Sequence, residues 1–312
     1  MSTDQEKQEK LEPKIIMSNG IGGTFDQLPR RKRIMQPKSS QKVMFGMLAS
    51  SAVLIAIVLF AVLLTIIING VRGFNFKLIF LSPRNYRYSY RPAIFGTILI
   101  IFGAVAIALP LGLAAAIYLT EYAKKGFLIN LINQGISNLA AVPSIVFGVF
   151  GYAFFTLALK MNKSLYAGWF TLACMILPTI IRTSEEALKN VPASYREGSY
   201  ALGVTKWRTI RYIVLPAALP GISTGVILSL GRAAGETAAI MFVGGAIVPG
   251  FISFGSKFGA LPIQLYLMAI SAPSDTRFIQ WSIALVLVII VFGFNLTAII
   301  IRNRSEKKQG RI

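Results

Sequence analysis

From Val43 to Ile68 the chain carries not one ionisable side chain. A helix needs about 20 mostly apolar residues to cross the hydrocarbon core of a bilayer, and a buried helix of a soluble domain rarely offers so long an uncharged run. The run also exceeds the apolar core of a cleaved signal peptide, about 7–15 residues, so it reads as a retained first span. Five more candidate spans follow: Ala93–Tyr118, Leu131–Leu159, Leu165–Ile181, Ala217–Val248 and Phe278–Ile301. The fold class read from this pattern is all-α, a polytopic membrane protein with six transmembrane helices. A composition of 54% hydrophobic and only 14% charged residues excludes an ordinary soluble domain.

Around the membrane domain, residues 43–301, lie two polar tails. Residues 1–42 are charged and punctuated by Pro13, Pro29 and Pro37, a composition that cannot bury enough apolar surface to order itself. Residues 302–312 form the second tail. The tails, the short loop after Tyr118 and the segment 182–216 hold most of the Lys and Arg residues, which places both termini in the cytoplasm. The net charge of +20 is thus a topology signal, and nucleic acid is not an expected partner. The first outside loop is an exception, with Arg72, Lys77, Arg84, Arg87 and Arg91 and no acid. Either the other segments outvote it, or it forms an electropositive rim that attracts an anion or a binding protein.

Histidine is absent and Cys174 is the single cysteine, so an intrachain disulfide is impossible and a His/Cys metal site is not expected. There is no P-loop or HExxH, so the chain is read as no enzyme, and any ATP hydrolysis belongs to another chain. A secondary transporter remains the alternative class. It would have to work with Glu236 as the one acid well inside a span and without a detectable inverted repeat.

Pro110, Pro143 and Pro178 interrupt the second, third and fourth spans. In lipid, such breaks persist where protein or a water-lined cavity satisfies the freed backbone groups, which fits either packing kinks or a transport path. Gly221 with Gly225, and Gly231 with Gly235, are spaced for close helix contact in the fifth span.

Between the fourth and fifth spans lies SEEALKNVPASYREGSYALGVTKWRTIRYIVLPAALPG. Gly203 separates two helix-compatible pieces, Ser194–Leu202 and Lys206–Tyr212, and permits a turn with positive φ. In the second piece Trp207, Ile210 and Val214 share one face while Arg208 and Arg211 occupy another. Such an amphipathic piece suits a membrane surface or a protein groove. The spacing of Glu197, Gly203, Ile213, Leu215 and Pro216 resembles the EAA loop of bacterial ABC importer permeases. The loop departs from that pattern in having Gly198 and Ser199 where alanines are usual. The resemblance implies a type I importer permease fold, with Glu197, Gly198, Ser199, Gly203, Trp207, Ile213, Leu215 and Pro216 coupling to the ATPase subunit.

The fifth span also contains LSLGRAAGETAAIMF, with Arg232 and Glu236 one helical turn apart. Ionisable groups at membrane depth cost about 2.5–3.5 kcal/mol each and usually face a bundle interior or water. The two residues form either an intrahelical ion pair or a transport site. GRAAGETA and LAAVPSIVFGVFG (Leu139–Gly151) are similar to segments of phosphate importer permeases, and LPTIIRTSEEALKNVP with YALG resembles the A-type subunit. Arg182, which opens the cytoplasmic loop in this reading, matches an arginine of that subunit; its other reading is a positive-inside anchor.

The resemblance implies a substrate pathway through Arg232, Glu236, Thr237 and Arg182, with Thr224 and Ser229 as hydrogen-bond donors if they share its face. It implies as partners a second homologous permease, an ATPase dimer and an extracytoplasmic phosphate-binding protein, in the cytoplasmic membrane of a bacterium or archaeon. ATP and magnesium would be used by the ATPase, with no cofactor or metal on this chain. Molybdate or sulfate is the alternative substrate.

Overall fold

The computed structural model describes residues 37–74, 89–124, 126–245, 254–271 and 277–308. The chain divides into two units, Met1–Val58 and Leu59–Ile312. The N-terminal tail falls outside the described residues as far as position 36, as do Lys77, Arg84 and Arg87 of the first basic loop and Ala246–Val248 of the fifth expected span. Helix α1, Pro37–Arg72, takes in the rest of the tail. Within the smaller unit every residue from Gln41 to Val58 is exposed. A helix apolar all round, as this one is, suits a lipid surround.

The larger unit is built from ten further helices among the described residues: α2 Arg91–Ile117, α3 Phe127–Ala141, α4 Ser144–Gly151, α5 Leu165–Lys189, α6 Ala193–Ala201, α7 Lys206–Thr209, α8 Leu215–Ala234, α9 Ala238–Gly244, α10 Leu261–Ser271 and α11 Arg277–Lys308. Three π-helical stretches continue α2, α4 and α7 at Tyr118–Tyr122, Tyr152–Ala158 and Ile210–Val214, the last leading directly into α8. Five helices are long and apolar enough to cross a membrane, six if the bent pair α3 and α4 counts as one.

Helices α2, α5 and α8 pack closely because small residues line their contacts. A Cβ on Gly112 would lie 2.7 Å from Ile180 Cγ2, and one on Gly221 would lie 2.6 Å from Ala187 Cβ. Gly103 lies under the Trp169 indole, whose Nε1 donates to Leu99 O at 2.8 Å. Where lipid tails are as apolar as leucine, association rests on such close approach. Gly221 and Gly225 make the contact their spacing suggested, the latter against Thr183, whereas Gly231 meets only the Asn295 side chain of α11, at 4.0 Å, and Gly235 only its own helix.

Four expectations need correction. The third span is not one helix: α3 and α4 meet at 100°, because Val142 and Pro143 are extended and proline supplies no N–H to carry the helix on. The fourth span does not stop at Ile181 but runs to Lys189, so Arg182 sits inside a helix rather than opening a loop. The fifth starts at Lys206 and breaks after Ala234. Helix α10 is a short apolar helix beyond the six expected spans.

The loop around Gly203 marks one end of the larger unit and Phe258 the other. Phe258 is fully buried, its ring 2.9 Å from a Cβ on Gly168 and 2.8 Å from one on Gly244. Thr97 Oγ1 accepts from Leu261 N at 2.8 Å and donates to Ala93 O at 2.7 Å, fixing the start of α10 to α2.

Candidate functional site

Arg232 lies in the last turn of α8, and Gly235 ends that helix. Glycine is a weak helix former, and Glu236 offers its carboxylate to another backbone: Oε1 accepts from Ala239 N at 3.0 Å in the first turn of α9. Arg232 and Glu236 are therefore not one turn apart on a continuous helix, and among the described residues they form no ion pair. Glu236 is 9% exposed, while Arg232 is exposed and makes no hydrogen bond among the described residues. Thr237 opens α9 and donates to Gly235 O at 3.4 Å. The break thus presents a guanidinium that no carboxylate contacts among the described residues.

The hydroxyls expected alongside it divide. Ser229 is fully buried toward the core, with an unpartnered Oγ, and does not share the exposed face of Arg232. Thr224 donates to Pro220 O at 3.1 Å and accepts from Arg302 Nη1 at 3.4 Å. Arg182 is committed elsewhere: it donates to Asn133 Oδ1 at 3.0 Å, to Asn133 O, to Ser137 Oγ at 2.7 Å and to Glu185 Oε2 at 3.0 Å. It thereby ties α5 to the otherwise exposed α3.

At the Gly203 end, α6 and α7 fold back on each other through Gly203, which adopts φ +76°, and through Ser199 Oγ, 2.8 Å from Thr209 Oγ1. Ile210 and Val214 are buried; Trp207 is 55% exposed and so does not join their face. The extra residue of the π-helical stretch offsets the spacing assumed for an α-helix. Ile213, Leu215 and Pro216 are partly buried where this stretch enters α8. Glu197 and Gly198 are exposed on the outer face of α6, beside Tyr200 and Leu202.

Sequence reasoning missed what holds this loop in place. Arg196 Nη2 donates to Glu121 Oε1 at 2.7 Å, its Nε reaches the same oxygen at 3.1 Å, and its remaining donors go to Val191 O and Leu188 O at 2.9 Å each. The pair is largely buried, Glu121 7% and Arg196 19% exposed. Lys206 Nζ donates to Glu121 O and lies 4.7 Å from the Tyr122 ring centroid. The available signal was Glu121 itself, the one acid between Asp26 and Glu185.

Residues 108–311 match the family described as binding-protein-dependent transport system inner membrane component. The chain belongs to that family. This permease is 37% identical to the phosphate transport system permease protein PstA 1 of Mycobacterium tuberculosis (strain CDC 1551 / Oshkosh), across 73% of its own length and 75% of that protein's. It is 36% identical to PstA of Yersinia pestis, with 69% and 72% covered. Its fold is that of type I ABC importer permeases. Among solved structures, a bacterial alginate ABC transporter aligns with TM-score 0.62 at 13% identity, covering 83% of this chain and 93% of that one. The MetNI methionine ABC transporter aligns with TM-score 0.57 at 21% identity, covering 68% and 94%. The permease is accordingly a multi-pass membrane protein of an ABC importer, a class that works with an ATPase and a substrate-binding protein.

Proposed function

We propose that this chain is the A-type permease of an ATP-driven phosphate importer, contributing half of the translocation pathway. The observation that carries the reading is the similarity to phosphate transport permeases across about 70% of the chain or more. The helix break after Ala234 supports it from the side of chemistry. Phosphate is a strongly hydrated anion, and a pathway for it needs cationic charge and donors that bind it weakly enough to let it leave.

Arg232 supplies that charge, with Thr237 beside it as a hydrogen-bond donor. The planar guanidinium suits two oxygens of a tetrahedral anion. Glu236, held against α9, keeps net charge in the break low enough that the empty pathway does not trap its cargo. Arg182, paired with Glu185 at 3.0 Å, adds a second guanidinium whose hydrogen bonds to Asn133 and Ser137 can exchange with a passing anion.

The Gly203 end faces the cytoplasm, as do both termini. There the outer face of α6, from Glu197 to Leu202, meets the ATPase subunit. Arg196 carries the motion of that contact to α2 through Glu121. ATP and magnesium are bound by that partner dimer, and catalysis resides there; a second, homologous permease completes the pathway.

The test is uptake of labelled phosphate by cells with and without this chain, with sulfate or molybdate in excess. Loss of uptake that neither competitor mimics supports phosphate, and competition by either one moves the substrate to another oxyanion. In the same assay Arg232→Gln is expected to lower uptake at least tenfold while the complex still assembles. An unchanged rate removes Arg232 from the pathway.

A further inference from the structure

Helix α3 has two unlike sides. Asn130, Asn133, Gln134, Ser137 and Asn138 recur at the three- and four-residue spacing of one helix face. Leu128, Leu131, Ile132 and Leu139 occupy the opposite face, each at least 37% exposed. A narrow edge between the two faces meets the rest of the unit: Ile129, Asn133 and Ile136 are half-buried, and every other residue of α3 is exposed. The apolar face can meet lipid. The polar face cannot be left there without cost, because an amide in hydrocarbon loses the hydrogen bonds that water gave it.

A cation stands at one edge of the polar face. Arg182 of α5 donates to Asn133 Oδ1 at 3.0 Å and to Ser137 Oγ at 2.7 Å, and Ser137 Oγ donates to Asn133 O at 3.0 Å. Asn130, Gln134 and Asn138 continue the face beyond the guanidinium and make no side-chain hydrogen bond among the described residues. A second helix packed on these amides is the competing occupant. Close helix packing in membranes favours small residues, and the one glycine of α3 lies on the other side: Gly135 sits between Leu131 and Leu139, with nothing within 4 Å of its Cβ position. The apolar side therefore suits a neighbouring helix or lipid, and the amide side suits water.

The depth of this face follows from its neighbours. Helix α3 begins shortly after Tyr122, at the Gly203 end of the unit. Thr183, next to Arg182, fills the space beside Gly225, and Arg232 lies seven residues, about 10 Å, farther along α8 toward the Phe258 end.

We propose that the amide face of α3 lines the cytoplasmic exit of the pathway, taking the oxyanion after Arg232 and releasing it to water. The exit rests on the function and orientation proposed above, and its cargo is inorganic phosphate. Amide N–H groups are neutral donors that replace part of an anion's hydration shell without holding it as a further full cation would. Arg182, already paired with Glu185 at 3.0 Å, contributes a partly offset charge at the edge. Release is thereby favoured over retention.

The test uses the complete transporter in proteoliposomes, with its ATPase and phosphate-loaded binding protein. Leucine is close in size to the amides, so N130L/Q134L/N138L removes donors and keeps volume. Phosphate uptake is expected to fall about tenfold, as the loss of one or two hydrogen bonds would give, while ATP hydrolysis stays within about twofold. The amide swap N130Q/Q134N/N138Q should hold uptake near wild type. Unchanged uptake in the leucine variant overturns the exit lining, and so does a loss of uptake and hydrolysis together, which would place the amides in assembly. A second readout needs no transport: in the Cys174→Ala background, a membrane-impermeant thiol reagent on the cytoplasmic side is expected to label Gln134→Cys and spare Gly135→Cys. The reverse pattern overturns the proposal by showing the amide face packed against the second permease. If the wild type moves no phosphate, the proposed function fails, and the labelling still decides whether this face meets water.

Discussion

The two ends of the larger unit are held by different physics. At the Gly203 end the ties are charged: Glu121 with Arg196, Glu185 with Arg182 at 3.0 Å and with Lys189 at 3.6 Å. At the Phe258 end there is no carboxylate among the described residues, and the ties are steric. Phe258 fills a space bordered by glycines, and Phe254 stacks at 6.1 Å on Tyr166 beside Trp169. Directional bonds fail when one partner is lost, because the other is left buried and unpaired. Packing fails when volume is added or removed, because the neighbours have no room to give.

The comparison can be broken from either side. Arg196→Ala leaves Glu121 buried without its partner, and breaking such a pair costs about 3–5 kcal/mol. The expected result is a large drop in the thermal midpoint of the purified complex, with transport-linked ATP hydrolysis lost; a midpoint equal to wild type would show that this end does not depend on its ion pairs. Gly168→Ala tests the other end. Its methyl would meet Phe258 Cζ at 2.9 Å and Ile100 Cδ1 at 2.5 Å, an overpacking worth about 1–3 kcal/mol. Adding Phe258→Leu should recover part of that loss, and failure to recover would place the strain elsewhere. Smallest is Gly198→Ala, which has open space around it. It should stabilise α6 by about 0.5–1 kcal/mol in denaturant titrations of the complex, since alanine replaces glycine in a helix interior.

Much of this arrangement was written plainly in the sequence. The uncharged run of α1, the left-handed turn at Gly203 and the close contact at Gly221 and Gly225 each follow from one local property that the environment had no reason to override. The break after Ala234 was only half legible, because glycines and the charged Arg232 and Glu236 weaken the fifth span without saying which residue ends the helix. What ends the helix is a side chain choosing a backbone partner three residues ahead, a choice that leaves no trace in periodicity. Pro143 announced a disturbance but not a 100° turn, which depends on what α3 and α4 each pack against. Helix α10 is only eleven residues long and fell below the length by which a span is recognised. Arg196 lay in plain view in the segment between the fourth and fifth spans, yet nothing local ties it to an acid 75 positions earlier.

The glycine-bordered Phe258 has a further consequence for how this sequence can drift over generations. Gly96, Gly168 and Gly244 come from three different helices, yet each has its side-chain space taken by the same ring or by the backbone next to it. A methyl gained at Gly168 or Gly244 is harmful while the phenylalanine stands, and a smaller residue at 258 is harmful while the glycines stand. These positions are therefore coupled, and a lineage that leaves the arrangement one substitution at a time must pass through a less stable ancestor, whichever side changes first.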